Sequence, residues 1–172
     1  AQEMGKTFEE MNLVVAHLGG GVTVAAVKNG RIIDTNIALL GGGPFTPQRV
    51  GQLPLSELID LCYSGRFTKA ELETELTKRG GLQSYLGDYR LDVIEDRIHR
   101  GDEQARLVVD AMIYQIAKEI GAMRVAVGCD ADAIVLTGGM VRAERVRNGI
   151  QQRVGRLAPV LIYEQSLEME AL

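Results

Sequence analysis

Cysteine is scarce in this chain of 172 residues: Cys62 and Cys129 lie far apart, with no further pair to build a disulfide framework or a metal knuckle. No secretory leader precedes the first predicted strand, so a reducing, cytoplasmic location is the expectation. An excess of basic residues is missing as well. Net charge is −4 with both signs interspersed, so no broad cationic stripe is available for nucleic acid. Apolar runs are short, those such as Ala133 to Leu136 having the length of a buried strand, and no membrane partner is expected. No serine or cysteine nucleophile is paired with a histidine base, and no cluster has metal-ligand spacing.

What is present is a chain with 46% apolar residues, enough for one core, and residues 1–172 read as one domain. Residues 1 to 11 resemble the tail of a helix, with Met4 and Phe8 one turn apart. Asn12 to Ala16 is a β-prone run entering the turn His17-Leu18-Gly19-Gly20-Gly21, and Val22 to Val27 is a second. Asn29-Gly30 tolerates positive φ at both central positions of a tight hairpin, predicting a third antiparallel strand over Arg31 to Ile37.

Beyond a loop from Gly41 to Leu53, helices are predicted. Pro54 opens one carrying Leu55, Leu58, Ile59 and Cys62; Thr68 and Glu71 form a capping box for a second, closed by Gly80-Gly81. A third spans Leu91 to Arg100, and a longer one, Asp102 to Met123, carries Val108, Met112, Ile116, Ile120 and Met123 on one stripe. Ala133 to Thr137 is a buried strand, Val146, Ile150 and Val154 mark another helix, Pro159 to Tyr163 a last strand, and 168–172 the opening of a further helix. Three hairpin-linked strands followed by two with crossover helices predict an α/β fold: a mixed five-stranded sheet with an inserted helical layer, of ribonuclease H-like order.

Three segments point to anion chemistry. Glycines at the turn of residues 19–21 let backbone amides approach a phosphate, with the His17 imidazole as a further donor; a tight turn beside a surface histidine accounts for the pentapeptide equally well. Arg49 could clamp a carboxylate or phosphoryl group through its planar fork, although a solvated loop arginine is the simpler account of that residue alone. Gly138-Gly139, between a strand and a helix, either admits a nucleotide's phosphates or ribose or serves close packing. Asp130 and Asp132 read as solvated turn residues, Glu168 and Glu170 as acidic residues favoured at a helix start, and His99 as a polar helix residue without a chemical role.

The segments AHLGGG, GGGPFTPQR, GGLQSYLG, AMIYQIAKEIGAM and DAIVLTGGM, in that order and spacing, resemble the acetate/butyrate kinase family, its butyrate kinase branch above all, from Asn12 to Leu172. The resemblance implies one copy of the ribonuclease H-like domain duplicated in acetate kinases, sugar kinases, actin and heat-shock chaperones. It implies a C-terminal nucleotide-binding half whose N-terminal phosphate-loop domain is absent. By the same resemblance Gly19, Gly20 and Gly21 bind phosphate, Arg49 and His17 serve the transferring phosphoryl group, Gly138 and Gly139 lie beside the adenosine, and Glu168 helps hold Mg2+. The implied reaction is transfer from ATP to a short-chain carboxylate such as butanoate, giving ADP and an acyl phosphate. The implied assembly is a homodimer, for which the apolar content of the helical layer, Tyr114 and Met123 included, offers surplus surface. The chain departs from the family's pattern at Leu40-Gly41-Gly42-Gly43-Pro44, where acidic residues usually flank the first glycine, and at Val50, where serine or threonine usually follows the arginine.

Overall fold

A computed structural model describes residues 1–40, 42–128 and 131–164. Five strands, β1 (Leu13–Leu18), β2 (Val22–Lys28), β3 (Arg31–Thr35), β4 (Ala133–Thr137) and β5 (Val160–Tyr163), form one sheet in the order β3-β2-β1-β4-β5. β1, β2 and β3 pair antiparallel, whereas β4 runs parallel to both β1 and β5. This is the mixed sheet that the strand order predicts. The β2–β3 hairpin turns on Asn29 (φ 49°) and Gly30 (φ 69°), the paired left-handed conformations for which that dipeptide is suited.

β3 is an exposed edge strand, and it stops at Thr35 rather than Ile37 for a local reason. The Asn36 side chain takes over the ladder, its Oδ1 accepting from the Val24 amide at 2.6 Å and its Nδ2 donating to the Val22 carbonyl at 2.9 Å. At the start of the chain the expected helix tail is absent. Two 3₁₀ turns stand there, Gln2–Met4 and Phe8–Glu10, because Thr7 and Glu10 form a capping box that starts a turn afresh. Asp132 is no solvated turn residue either: it pairs with Lys6 at 2.5 Å and accepts from the Asn12 amide at 2.8 Å, pinning this terminus to the head of β4.

The helices are α1 (Leu55–Tyr63), α2 (Lys69–Lys78), α3 (Gly81–Leu86), α4 (Leu91–His99), α5 (Glu103–Val127) and α6 (Glu144–Val154). α3 was hidden in the sequence because Gly80-Gly81 reads as a stop, whereas Gly80 ends one helix and caps the next. α5 lies across β1 and β2, burying Met112, Ile116, Ile120 and Met123 of the predicted stripe together with Val14, Ala16, Leu18, Val24 and Ile134 of the sheet. Val108 is only partly buried against this core. The period-2 alternation sends Leu13, Val27 and Ala133 to the opposite face, where with Met11 they form a smaller cluster beside the N-terminal turns. No described helix is long and apolar enough to cross a membrane.

Candidate active site

The parallel pairing of β1 with β4 puts His17 beside Thr137, so both glycine segments emerge at the same sheet edge, at the C-terminal ends of two parallel strands. They touch. Gly138 is buried at φ 94°, and a Cβ there would stand 2.6 Å from the Leu18 carbonyl oxygen, so only glycine lets these segments meet. Gly139 is exposed and opens a four-residue 3₁₀ turn, Gly139–Arg142, and α6 begins only at Glu144, so the glycine pair is followed by this turn and not by the helix itself.

Within the first turn, Gly19 donates its amide to the Gly21 carbonyl at 3.0 Å, closing a tight loop with Gly20 exposed at its tip. His17 leans over one side of this loop: a Cβ on Gly19 would lie 3.1 Å from its Nε2. Arg49 closes the other side. A Cβ on Gly21 would stand 2.7 Å from the Arg49 Cζ and nearer still to Nη1, so the guanidinium presses its Nη1 edge against bare glycine backbone, and that Nη1 donates to the Ala38 carbonyl at 2.8 Å. The sequence-predicted residues 17, 19–21, 49, 138 and 139 are therefore gathered at one place, and Glu168 lies outside the described residues.

Thr46, which the sequence reading passed over, makes this arrangement rigid. Its side chain is 1% exposed, donating to the Gly20 carbonyl at 2.9 Å and accepting from the Arg49 amide at 3.0 Å. The signal was available: a threonine followed by proline and, three residues on, by an amide to cap is a turn-initiating pattern. The loop is held from behind by Gly80 and Gly81. A Cβ on Gly80 would meet the Val50 amide nitrogen at 2.8 Å, and the Gly80 and Val50 amides donate across to Gln48 and Leu76.

One cavity opens from this centre, and a second lies on the helical side of the molecule. The first, of about 350 Å³, is lined by Gly20, Leu39, Gln48, Arg49, Thr77 and Lys78. The other, of about 810 Å³, lies between α4, α5 and α6, with Glu95, His99, Asp110, Glu144, Arg145 and Asn148 among its walls. His99, assigned no role from sequence, thus borders a cleft of ligand size. Arg145 and Asp110 are 3.5 Å apart across it, and Glu95 Oε1 is buried there with no hydrogen-bond partner among the described residues. Among the described residues no group of three or more His, Cys, Asp or Glu side chains is placed to hold a metal ion.

The sequence profile described as the acetokinase family matches residues 1–160. A protein described as a probable butyrate kinase of Bacteroides thetaiotaomicron is 44% identical over all 172 residues, which cover 49% of that protein, so the chain spans about half the length of such relatives. The fold matches the crystal structure of Porphyromonas gingivalis acetate kinase with TM-score 0.81 and 26% identity, over 91% of this chain and 40% of that one. It matches a propionate kinase from Francisella tularensis with TM-score 0.79 and 26% identity, over 91% and 41%. With a mixed sheet of actin-like order and a matching profile over nearly its whole length, the chain belongs to the acetokinase family, whose members are kinases.

Proposed function

We propose that this chain is the C-terminal, nucleotide-binding half of a carboxylate kinase that transfers the γ-phosphoryl group of ATP to butanoate or a close short-chain relative. The observation that carries the reading is the convergence of Gly138 on Leu18 with Arg49 on Gly21, two glycine segments and one arginine fork at the ends of parallel strands. The acceptor carboxylate needs no base, so catalysis amounts to in-line positioning and stabilisation of charge on the phosphoryl oxygens. Arg49 and the amides of Gly20 and Gly21 supply part of that stabilisation, and His17 a further donor. The nucleoside is assigned to the 810 Å³ cleft between α4, α5 and α6, where Glu95 Oε1 offers an acceptor to a ribose hydroxyl or a ring amino group. A Mg2+ ion would enter on the nucleotide's phosphates and neutralise their charge; its proposed ligand, Glu168, lies outside the described residues. Butanoate is favoured by the relative's description, and a reducing, cytosolic compartment suits the chemistry.

The opposing wall of the cleft belongs to the half of the relatives that this chain does not span. The chain alone should therefore bind ADP weakly and form negligible acyl phosphate, and fusion to the N-terminal half of such a relative should restore formation. Hydroxylamine trapping reads both. Robust ATP-dependent hydroxamate from the chain alone, or none from the fusion, overturns this assignment.

We also propose a two-fold dimer, on a specific observation. α1 buries none of its residues, and Leu55, Ile59 and Tyr63, at i, i+4 and i+8, are 74%, 56% and 88% exposed, an unpartnered apolar stripe. Tyr114 is exposed as anticipated, whereas Met123 is spent in the core and offers nothing to a partner. A monomeric mass by sedimentation equilibrium at tens of micromolar would rule out self-association of this chain.

A further inference from the structure

We propose that Lys78 is a second phosphate-binding cation of the Arg49 cavity, so that a phosphoryl group is held between an arginine fork and a lysine ammonium. This rests on the reading of that cavity as the phosphoryl site. Lys78 is the last residue of α2 and lines the same cavity of about 350 Å³ as Gly20, Gln48 and Arg49. Its backbone is held to the arginine's: the Gly80 amide donates to the Gln48 carbonyl at 3.0 Å and the Val50 amide to the Leu76 carbonyl at 3.1 Å. The absence of a Cβ at Gly80 permits that approach, so the two cations are carried on one bracket. Its neighbour Arg79 is spoken for, paired with Glu75 at 2.7 Å one turn back. Lys78 has no ion-pair partner among the described residues, and position 74, one turn before it, is a threonine whose hydroxyl is donated to the Ala70 carbonyl. One lysine is thus left uncompensated at the wall of a cavity that already holds an arginine and a bare glycine turn. An arginine fork grips two oxygens of a tetrahedral anion in a plane, and a lysine supplies a mobile point charge to a third.

The phosphoryl group can come from a nucleotide or from an acyl phosphate, and titration calorimetry of the 172-residue chain with ADP and with acetyl phosphate as separate probes tells them apart. Lys78→Gln is expected to weaken one or both about tenfold, Lys78→Arg to retain most of the affinity, and Arg79→Gln to stay within about twofold. A loss confined to acetyl phosphate assigns the lysine to the acceptor side, a loss confined to ADP to the nucleotide's phosphates, and both outcomes support the site. A lysine in a last helical turn also answers the helix dipole, so the melting temperatures of all three variants are compared. Lys78→Gln binding both probes like the unmodified chain overturns the proposal; so does an equal loss in Arg79→Gln, which would reveal only a net-charge effect, or no measurable binding by the unmodified chain at millimolar probe. Failure of the fused enzyme to form hydroxamate speaks against the kinase reading alone and leaves the calorimetric result standing.

Discussion

Substituting Gly21 by alanine isolates the seat of Arg49 from its charge. Gly21 has no left-handed backbone, so alanine brings no conformational strain, but its Cβ would lie 2.7 Å from the Arg49 Cζ. Ordinary contact between such atoms is about 3.5–4.0 Å and Nη1 stands nearer than Cζ, so the guanidinium has to retreat by about 1.5 Å, with loss of the 2.8 Å bond to the Ala38 carbonyl. Because the obstructed atoms are the far end of a flexible side chain, the cost in stability should be about 1 kcal/mol, the worth of that hydrogen bond. The functional cost should be larger, since a misplacement of about 1 Å in a preorganised group can lower turnover by about a hundredfold. In the fused enzyme, hydroxamate formation by Gly21→Ala should therefore fall about 10- to 100-fold while the urea midpoint barely moves. The double variant with Arg49→Ala should be no worse than Arg49→Ala alone, because both act through one guanidinium. Normal turnover in Gly21→Ala, or a strictly additive double variant, would refute the coupling.

Arg49→Ala in the same enzyme should cost about two to three orders of magnitude in turnover and His17→Ala less, with thermal melts near the parent in both; near-normal turnover in either removes its assigned role. Gly138→Ala should be chiefly structural, lowering stability by about 2–4 kcal/mol, because it combines φ 94° with a Cβ 2.6 Å from the Leu18 carbonyl; chemical denaturation checks it. The Lys6 ammonium, and after it the Asn12 amide, hold the Asp132 carboxyl below its ordinary range. A depressed carboxylate contributes stability that is complete above its unfolded pKa of about 4 and is lost as pH falls through its folded value. Asp132→Asn should thus melt lower than the parent at pH 7, with the gap closing below about pH 4; a gap independent of pH would show that charge is not the cause.

Much of the architecture was legible because its signals are local. Asn29-Gly30 needs only its own backbone preference to turn, and Thr68 with Glu71 needs only its own amides to start α2. The run Ala133 to Thr137, apolar on both faces, declares a buried strand before any partner is known, and the structure makes it parallel to β1 and β5. Errors arose where a local signal had two outcomes. Gly80-Gly81 ends one helix and begins another, and the choice is made by the Thr46 carbonyl, which accepts from the Leu82 amide across the chain. Asp132 looked like any turn aspartate because Lys6, its partner, stands 126 residues away.

The sequence by itself determined the strand order, the α5 stripe and the identity of His17, Arg49 and the glycines as candidates, since periodicity, turn chemistry and residue type are properties of short segments. Only the tertiary structure decided that these candidates form one site. The parallel β1–β4 register brings Gly138 to Leu18, the buried Thr46 hydroxyl ties the Arg49 loop to Gly20, and the backbone bonds of Gly80 and Val50 carry Lys78 to the same cavity. Each is a contact between segments remote in sequence, set by packing and hydrogen-bond geometry that no window of neighbouring residues contains.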